Sequence, residues 1–187
     1  SWRYEVVCEK AGGVGNTYLV RVTSYVRDPS LSIEQSKKNA VHSIADEMAL
    51  TVVRTTYSGV LKDNMDFSTA FCAADGRLVA QGLTLPGHLG SIPSALQAVL
   101  DRYGDSIREG DIYCLNDPYE GGMHLPDLFV FQPIFHEGVH VAFAAVICHH
   151  VDTGGRVPGS NAADSTEIYQ DQSDQADVSP VENRQHQ

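Results

Sequence analysis

The sequence is short of most of what marks a membrane, secreted or nucleic-acid-binding protein. Its longest strongly apolar run, residues 141–148, is eight residues, far below the roughly 18 that a membrane span requires. Basic residues are scarce. Thirteen Lys and Arg face 24 Asp and Glu in 187 residues, a formal charge of −11, the wrong sign for drawing a phosphate backbone or an anionic lipid surface. No nucleic acid and no membrane is therefore expected among its partners. The four cysteines, Cys8, Cys72, Cys114 and Cys148, form no CxxC pair, which fits a reducing, cytoplasmic setting better than a disulfide scaffold. The first residues, Ser1-Trp2-Arg3-Tyr4-Glu5, lack a basic stretch followed by an apolar one, so no secretory signal is read there. The glycines of Ala11-Gly12-Gly13-Val14-Gly15-Asn16 match neither GxGxxG nor GxxxxGK[ST] and are read as a turn, so no nucleotide site is expected in this chain. The GxSxG elbow of serine hydrolases is also missing, because Gly159-Ser160 lacks the second glycine.

What is present is the makings of a core. With 42% hydrophobic residues, a chain of this length can bury roughly 70% of its unfolded surface without staples. Residues 1–30 read as a strand-forming lead-in, 31–170 as the body and 171–187, polar and acidic, as a disordered tail. In the body, Ser32 and Gln35 have capping-box spacing. Val41, Ile44, Ala45, Met48 and Val52 then recur at helical intervals. Ala74-Asp75-Gly76 between residues 67–73 and 77–81 predicts a β-hairpin, because both residues of the Asp-Gly pair tolerate positive φ. A second helix is predicted over 93–103, with Ser91 as its cap and Gly104 as its stop. Strands are predicted over 112–115, 128–134 and 139–148. The fold class expected is α+β: a mixed, mainly antiparallel sheet with two or more packed helices.

Chemically capable side chains crowd between Asn116 and Asp152: Asn116, Asp117, Glu120, His124, Asp127, His149, His150 and Asp152. Two prolines and two glycines between 116 and 127 argue against a helix there, leaving a loop that displays side chains. If residues 128–134 and 139–148 pair antiparallel around Phe135-His136-Glu137-Gly138, with Ile134 opposite Val139, then His124 falls opposite His149 at the open end of the hairpin. Asp127 lies a short step away. Two imidazoles and a carboxylate with no thiolate suit Mn²⁺, Fe²⁺ or Zn²⁺ with open positions, and not a closed structural zinc. The competing reading makes them surface polar groups. His88, in a Gly-Pro loop, is read either as a donor to a substrate oxygen or as a turn hydrogen-bonder. Asp63 and Asp66, flanking Asn64-Met65, have the spacing of paired carboxylates but are read as a solvated turn or N-cap. Cys148 and His149 are adjacent on a strand and face opposite sides, which argues against a Cys-His nucleophile.

Several motifs stand in order along the chain. They are Asp66-Phe67-Ser68, Asp75-Gly76-Arg77-Leu78-Val79-Ala80-Gln81, His88-Leu89-Gly90-Ser91 and Gly110-Asp111, then Asn116-Asp117-Pro118-Tyr119, Gly121-Gly122, His124-Leu125-Pro126-Asp127, His149-His150 and Pro158-Gly159-Ser160. Over residues 33–170 this series resembles the amino-terminal part of the hydantoinase B/oxoprolinase family. The family pattern stops near Tyr169-Gln170, so the chain looks truncated or divergent, and residues 1–30 have no counterpart in it.

The resemblance implies a subunit or fragment of an ATP-dependent amidohydrolase that opens a cyclic amide of hydantoin or 5-oxoproline type. ATP is then used by a hydantoinase A-like ATPase subunit in a hetero-oligomer, and the substrate is small and polar. In the acetone carboxylase branch two His and one Asp hold manganese, which by motif are His124, Asp127 and His149. Under this reading His150 or Asp117 shuttles the proton. His88 and Asn116 contact the substrate, and Gly121 and Gly122 let backbone approach it closely. Two alternatives stay open: an alpha-type subunit of an ATP-dependent ketone carboxylase, and a non-catalytic chain acting by association.

Overall fold

The computed structural model describes residues 4–10, 18–24, 32–82, 85–160, 162–171 and 179–180. Strands β1 (Tyr4–Lys10) and β2 (Tyr18–Ser24) pair antiparallel as a two-stranded ladder of their own. The predicted glycine turn between them lies outside the described residues. Ser32 caps α1 (Ile33–Thr55), its hydroxyl accepting from the Gln35 amide at 3.1 Å. The reciprocal half of the capping box is not made, because the Gln35 side chain donates to Asn39 Oδ1 instead. One turn of helix, α2 (Gly59–Lys62), leads to β3 (Phe67–Ala73) and β4 (Leu78–Gln81). Next come α3 (Pro86–Leu89), α4 (Ile92–Tyr103) and β5 (Tyr113–Leu115). The long hairpin of β6 (Asp127–His136) and β7 (Val139–His149) follows, and β8 (Ser179–Pro180) closes the order.

The main sheet runs β4-β3-β7-β6-β5-β8, and its strand pairings are antiparallel among the described residues. Alternation divides it into two faces. On one face Ala70, Cys72, Tyr113, Leu115, Phe129, Phe131, Phe143, Ala145 and Ile147 form a core with Ile92, Ala95, Leu96 and Val99 of α4. On the other, Thr69 donates to the Ala45 carbonyl of α1 at 2.8 Å. Gly82 permits that close approach, since a Cβ there would stand 2.4 Å from Thr69 Oγ1. The α+β expectation therefore holds, with helices packed on both faces.

The hairpin expected at Asp75-Gly76 forms, with Gly76 at positive φ (+87°) and its amide bonded to the Ala73 carbonyl. Two local expectations are corrected. Ser91 does not cap α4 with its side chain; its hydroxyl donates back to His88 O at 2.6 Å, joining α3 to α4. The β6–β7 hairpin closes with His136 opposite Val139 around Glu137-Gly138, both at positive φ, and a register irregularity follows between Ile134 and Phe135. Asp127, not His124, therefore stands opposite His149. Of the tail expected over 171–187, Ser179–Pro180 adds to the β5 edge, and residues 172–178 and 181–187 lie outside the described residues.

Candidate metal centre

The open end of the β6–β7 hairpin gathers the site. Asp127 and His149 are register partners, and His149 Nδ1 lies 3.0 Å from Asp127 Oδ1. His124 precedes β6 by three residues and is brought back by a tight turn in which the Asp127 amide donates to the His124 carbonyl. Its Nε2 also lies 3.0 Å from Asp127 Oδ1, and its ring stacks on that of His149 at 5.2 Å between centroids. The corrected register thus changes how the three residues meet and leaves the meeting intact. One donor atom from each lies within 4.8 Å of the others.

The loop before β6 is pinned to hold this turn in place. Asn116, buried, donates from Nδ2 to Leu125 O at 2.7 Å, and the His150 amide donates to Pro126 O at 2.8 Å. The Asp117 carboxylate accepts from the Tyr119 amide at 2.8 Å and starts a short 3₁₀ turn. Gly121, at φ +91°, abuts the start of α4, where a Cβ would stand 2.6 Å from Ala95 N; at Gly122 it would stand 2.7 Å from Asp117 O.

These contacts reassign four predicted residues. Asn116, Gly121 and Gly122 face the chain itself, so their residue types are explained by loop closure and not by room for a substrate. Asp117 spends its carboxylate on a backbone amide. His150 also leaves the cluster: alternation turns it away from His149, and its ring Nδ1 bonds the Cys148 carbonyl at 3.1 Å. Cys148 is no nucleophile either, because burial and the nearby Asp127 charge push its thiol up to about 11.

Two residues complete the site, one of them missed as functional. Asp66 directly precedes β3, and because Phe67 pairs with Cys148 its carbonyl accepts the His149 amide. Its carboxylate stands 4.0 Å from His149 Nδ1 and 3.6 Å from His88 Nε2. Met65 before it takes φ +57°, an uncommon conformation for a side chain of that size, which turns the chain out of α2 and into the strand. His88 of α3 is 6% exposed and stands 3.5 Å from Asp127 Oδ2. The Asp-Phe-Ser motif and the spacing of Asp63 and Asp66 were the sequence signals for Asp66, which was read as structural. Nothing local announced that β3 lies beside β7.

Asp127 is 1% exposed, and a buried carboxylate is costly unless paired. Here two imidazoles, those of His124 and His149, meet its Oδ1. The donors fit a divalent cation. Separations of 3.0 Å are those of neighbouring ligands whose bonds to a shared ion are about 2.1 Å at right angles. Two imidazoles and a carboxylate suit the borderline metals, and Asp66 supplies a second negative charge close by. His124, with 43% of its side chain exposed, is the flank open to solvent.

An α+β sheet thus carries a mixed His/Asp donor set, His124, Asp127 and His149, at the mouth of one hairpin. The family model for hydantoinase B/oxoprolinase matches residues 35–182, and the chain belongs to that family. It is 42% identical over 118 residues to a 5-oxoprolinase of Dictyostelium discoideum, covering 63% of this chain and 9% of the relative. To the caprolactamase subunit beta of Pseudomonas jessenii it is 35% identical over 132 residues, covering 71% of this chain and 23% of that subunit. The crystal structure of the ATP-dependent caprolactamase from that organism superposes with a TM-score of 0.70 at 26% identity, over 84% of this chain and 27% of that one. An acetone carboxylase structure shares the fold, with a TM-score of 0.62 at 21% identity. The chain thus spans about a tenth to a quarter of the length of these relatives.

Proposed function

We propose that this chain is the cation-holding portion of a B-type component in an ATP-dependent amidohydrolase, one that opens a small cyclic amide of hydantoin, 5-oxoproline or lactam type. The observation that carries the reading is the convergence of His124 and His149 on one buried carboxylate oxygen, Asp127 Oδ1, each at 3.0 Å. Relatives named 5-oxoprolinase and caprolactamase subunit beta support the substrate class. Bound at these residues, a divalent cation, Mn²⁺ or alternatively Fe²⁺ or Zn²⁺, would polarise a carbonyl or phosphate oxygen and acidify a water.

The chain's own groups prepare that chemistry. Asp127 anchors the set because burial fixes its rotamer and directs both imidazoles. His149 is held on the strand by its amide bond to Asp66 O. His124 borders the open side by which a small polar substrate enters. The two carboxylates of Asp66 and Asp127 balance a double positive charge without a net ionic excess in the pocket. No phosphate-cradling loop was found in the sequence, so activation by ATP falls to a hydantoinase A-like partner subunit in a cytoplasmic hetero-oligomer. The name caprolactamase subunit beta supports an assembly of more than one subunit.

The test is to combine the chain with an A-type ATPase subunit, Mn²⁺ and ATP, and to assay 5-oxoproline, hydantoin and caprolactam for the ring-opened acid. Cation-dependent ring opening that is lost in Asp127→Asn supports the reading. Consumption of ketone and bicarbonate in place of ring opening, or turnover indifferent to Asp127→Asn, overturns it.

A further inference from the structure

His88 lies outside the three-donor set, and its hydrogen bonds point to a role there that rests on the cation-binding reading above and deepens it. The argument is a proton count. Ser68, fully buried on β3, has a single hydroxyl proton. Its Oγ stands 3.1 Å from the Leu85 carbonyl, which can only accept, so the proton lies on that line. The second contact of Ser68 Oγ, to His88 Nδ1 at 3.2 Å, then runs the other way, with Nδ1–H donating to the hydroxyl oxygen. In the neutral ring this leaves a lone pair on Nε2. That lone pair faces Asp127 Oδ2 at 3.5 Å and Asp66 Oδ1 at 3.6 Å. Three acceptors thus converge where the His88 side chain is 8% exposed and that of Asp127 1%. Acceptors do not bond one another, and burial keeps water from His88 and Asp127, while Asp66, 30% exposed, lies on the open side.

We propose that His88 Nε2 is a fourth donor to the cation, delivered by the short helix α3, and that Ser68 is the positioning residue that fixes the ring in the required tautomer. The separations come close. Ligands about 2.1 Å from one ion stand about 3.0 to about 3.4 Å apart as the angle between them opens from about 90° to about 109°, and the two His88 distances, 3.5 and 3.6 Å, lie just beyond that range. The set then counts three imidazoles and the Asp127 carboxylate, with the Asp66 charge beside it, a donor balance that suits Zn²⁺, Fe²⁺ or Mn²⁺ and disfavours Ca²⁺ and Mg²⁺. The motif His88-Leu89-Gly90-Ser91 takes on a purpose in the same step, since Ser91 Oγ donates to His88 O and holds the α3–α4 junction that aims the ring.

The experiment uses the full chain with ¹⁵N-labelled histidine and Zn²⁺ as a diamagnetic probe, read by long-range ¹H–¹⁵N spectra of the imidazole rings. His88→Gln assigns the His88 resonances and confirms the fold through an otherwise unchanged backbone spectrum. With Zn²⁺ bound, His88 is expected to keep Nδ1–H and to show a metal-shifted Nε2, together with shifts of His124 and His149. His88→Gln is expected to weaken Zn²⁺ binding about 10- to 100-fold, the scale of losses known for groups that hold a metal site together. Ser68→Ala weakens it less, with the other rings still responding. If His124 and His149 shift while His88 carries Nε2–H, the fourth-donor proposal falls and the cation site stands. If no ring responds to Zn²⁺, both fall.

Discussion

The two ends of the β6–β7 hairpin carry the same residue type in opposite company. At the turn end, His140 stacks on Phe135 at 5.3 Å, meets Phe143 edge-on at 4.5 Å and bonds the Ala142 carbonyl through Nε2. Those three contacts all come from its own hairpin, and Val139 and Val141 beside it lie open to solvent. At the open end, His149 meets Asp127 from the partner strand, Asp66 from the start of β3, and the ring of His124 from the preceding loop. A histidine satisfied by its immediate neighbours packs a hairpin. One that meets carboxylates from distant segments gathers a site, because only tertiary structure accounts for paying the desolvation of those charges.

That contrast can be broken from either end. The largest effect is expected for Gly121→Ala, which forces a Cβ to within 2.6 Å of the α4 backbone at φ +91°. A loss of about 3 kcal/mol or more is expected, read by denaturant unfolding, with cation binding lost as the His124 loop loosens. Next comes Asp127→Asn, which keeps shape and removes charge. Zn²⁺ or Mn²⁺ affinity is expected to fall more than about 100-fold in calorimetry while the thermal midpoint holds or rises, since a costly buried charge is gone. At the turn end, His140→Ala removes two ring contacts and is expected to cost about 1–2 kcal/mol of stability, with cation affinity unchanged.

A fourth prediction sharpens the comparison through pH. Burial raises the thiols of Cys72, Cys114 and Cys148 from 9.0 to about 11. A raised thiol keeps its proton in the folded state after the unfolded chain has lost it, so stability falls as pH rises from about 9 toward 11. Melting curves across that range should show a steeper decline than those of Cys72→Ala at the same pH. The smallest effect is expected at Asp152, whose carboxyl is held below its ordinary 3.8 by the Gly154 amide, the Ser160 hydroxyl and the Gly159 amide. Asp152→Asn should lower the thermal midpoint slightly near neutral pH. The difference should vanish as pH drops through the folded-state value, because the depressed carboxyl stabilises only above it.

The sequence was legible where the cause of structure is local. Ser32 starts a helix with a bond three residues long, Gly76 turns a hairpin because it alone tolerates the conformation, and alternation marks both long strands. His124, Asp127 and His149 could be named for the same reason: one hairpin brings them together. The register was misjudged because the turn closes on Glu137-Gly138 with His136 opposite Val139, and an irregularity with no sequence mark follows at Ile134/Phe135, yet the turn from His124 to Asp127 restored the contact. Asp66 and His88 were hidden by distance along the chain. Their places depend on β3 lying against β7 and on α3 docking over that edge, which no periodicity encodes. Gly121 and Gly122 were read for the right property and given the wrong neighbour, since the backbone they admit is that of α4 and of their own loop.

The most direct test is metal content by elemental mass spectrometry after equilibration with Mn²⁺ and Zn²⁺ and removal of free ions, on the wild-type chain, His149→Ala and His140→Ala. About one ion per chain in the wild type and in His140→Ala, with none retained by His149→Ala, is the result the account predicts. Equal content in the two variants, or none in the wild type, would contradict it.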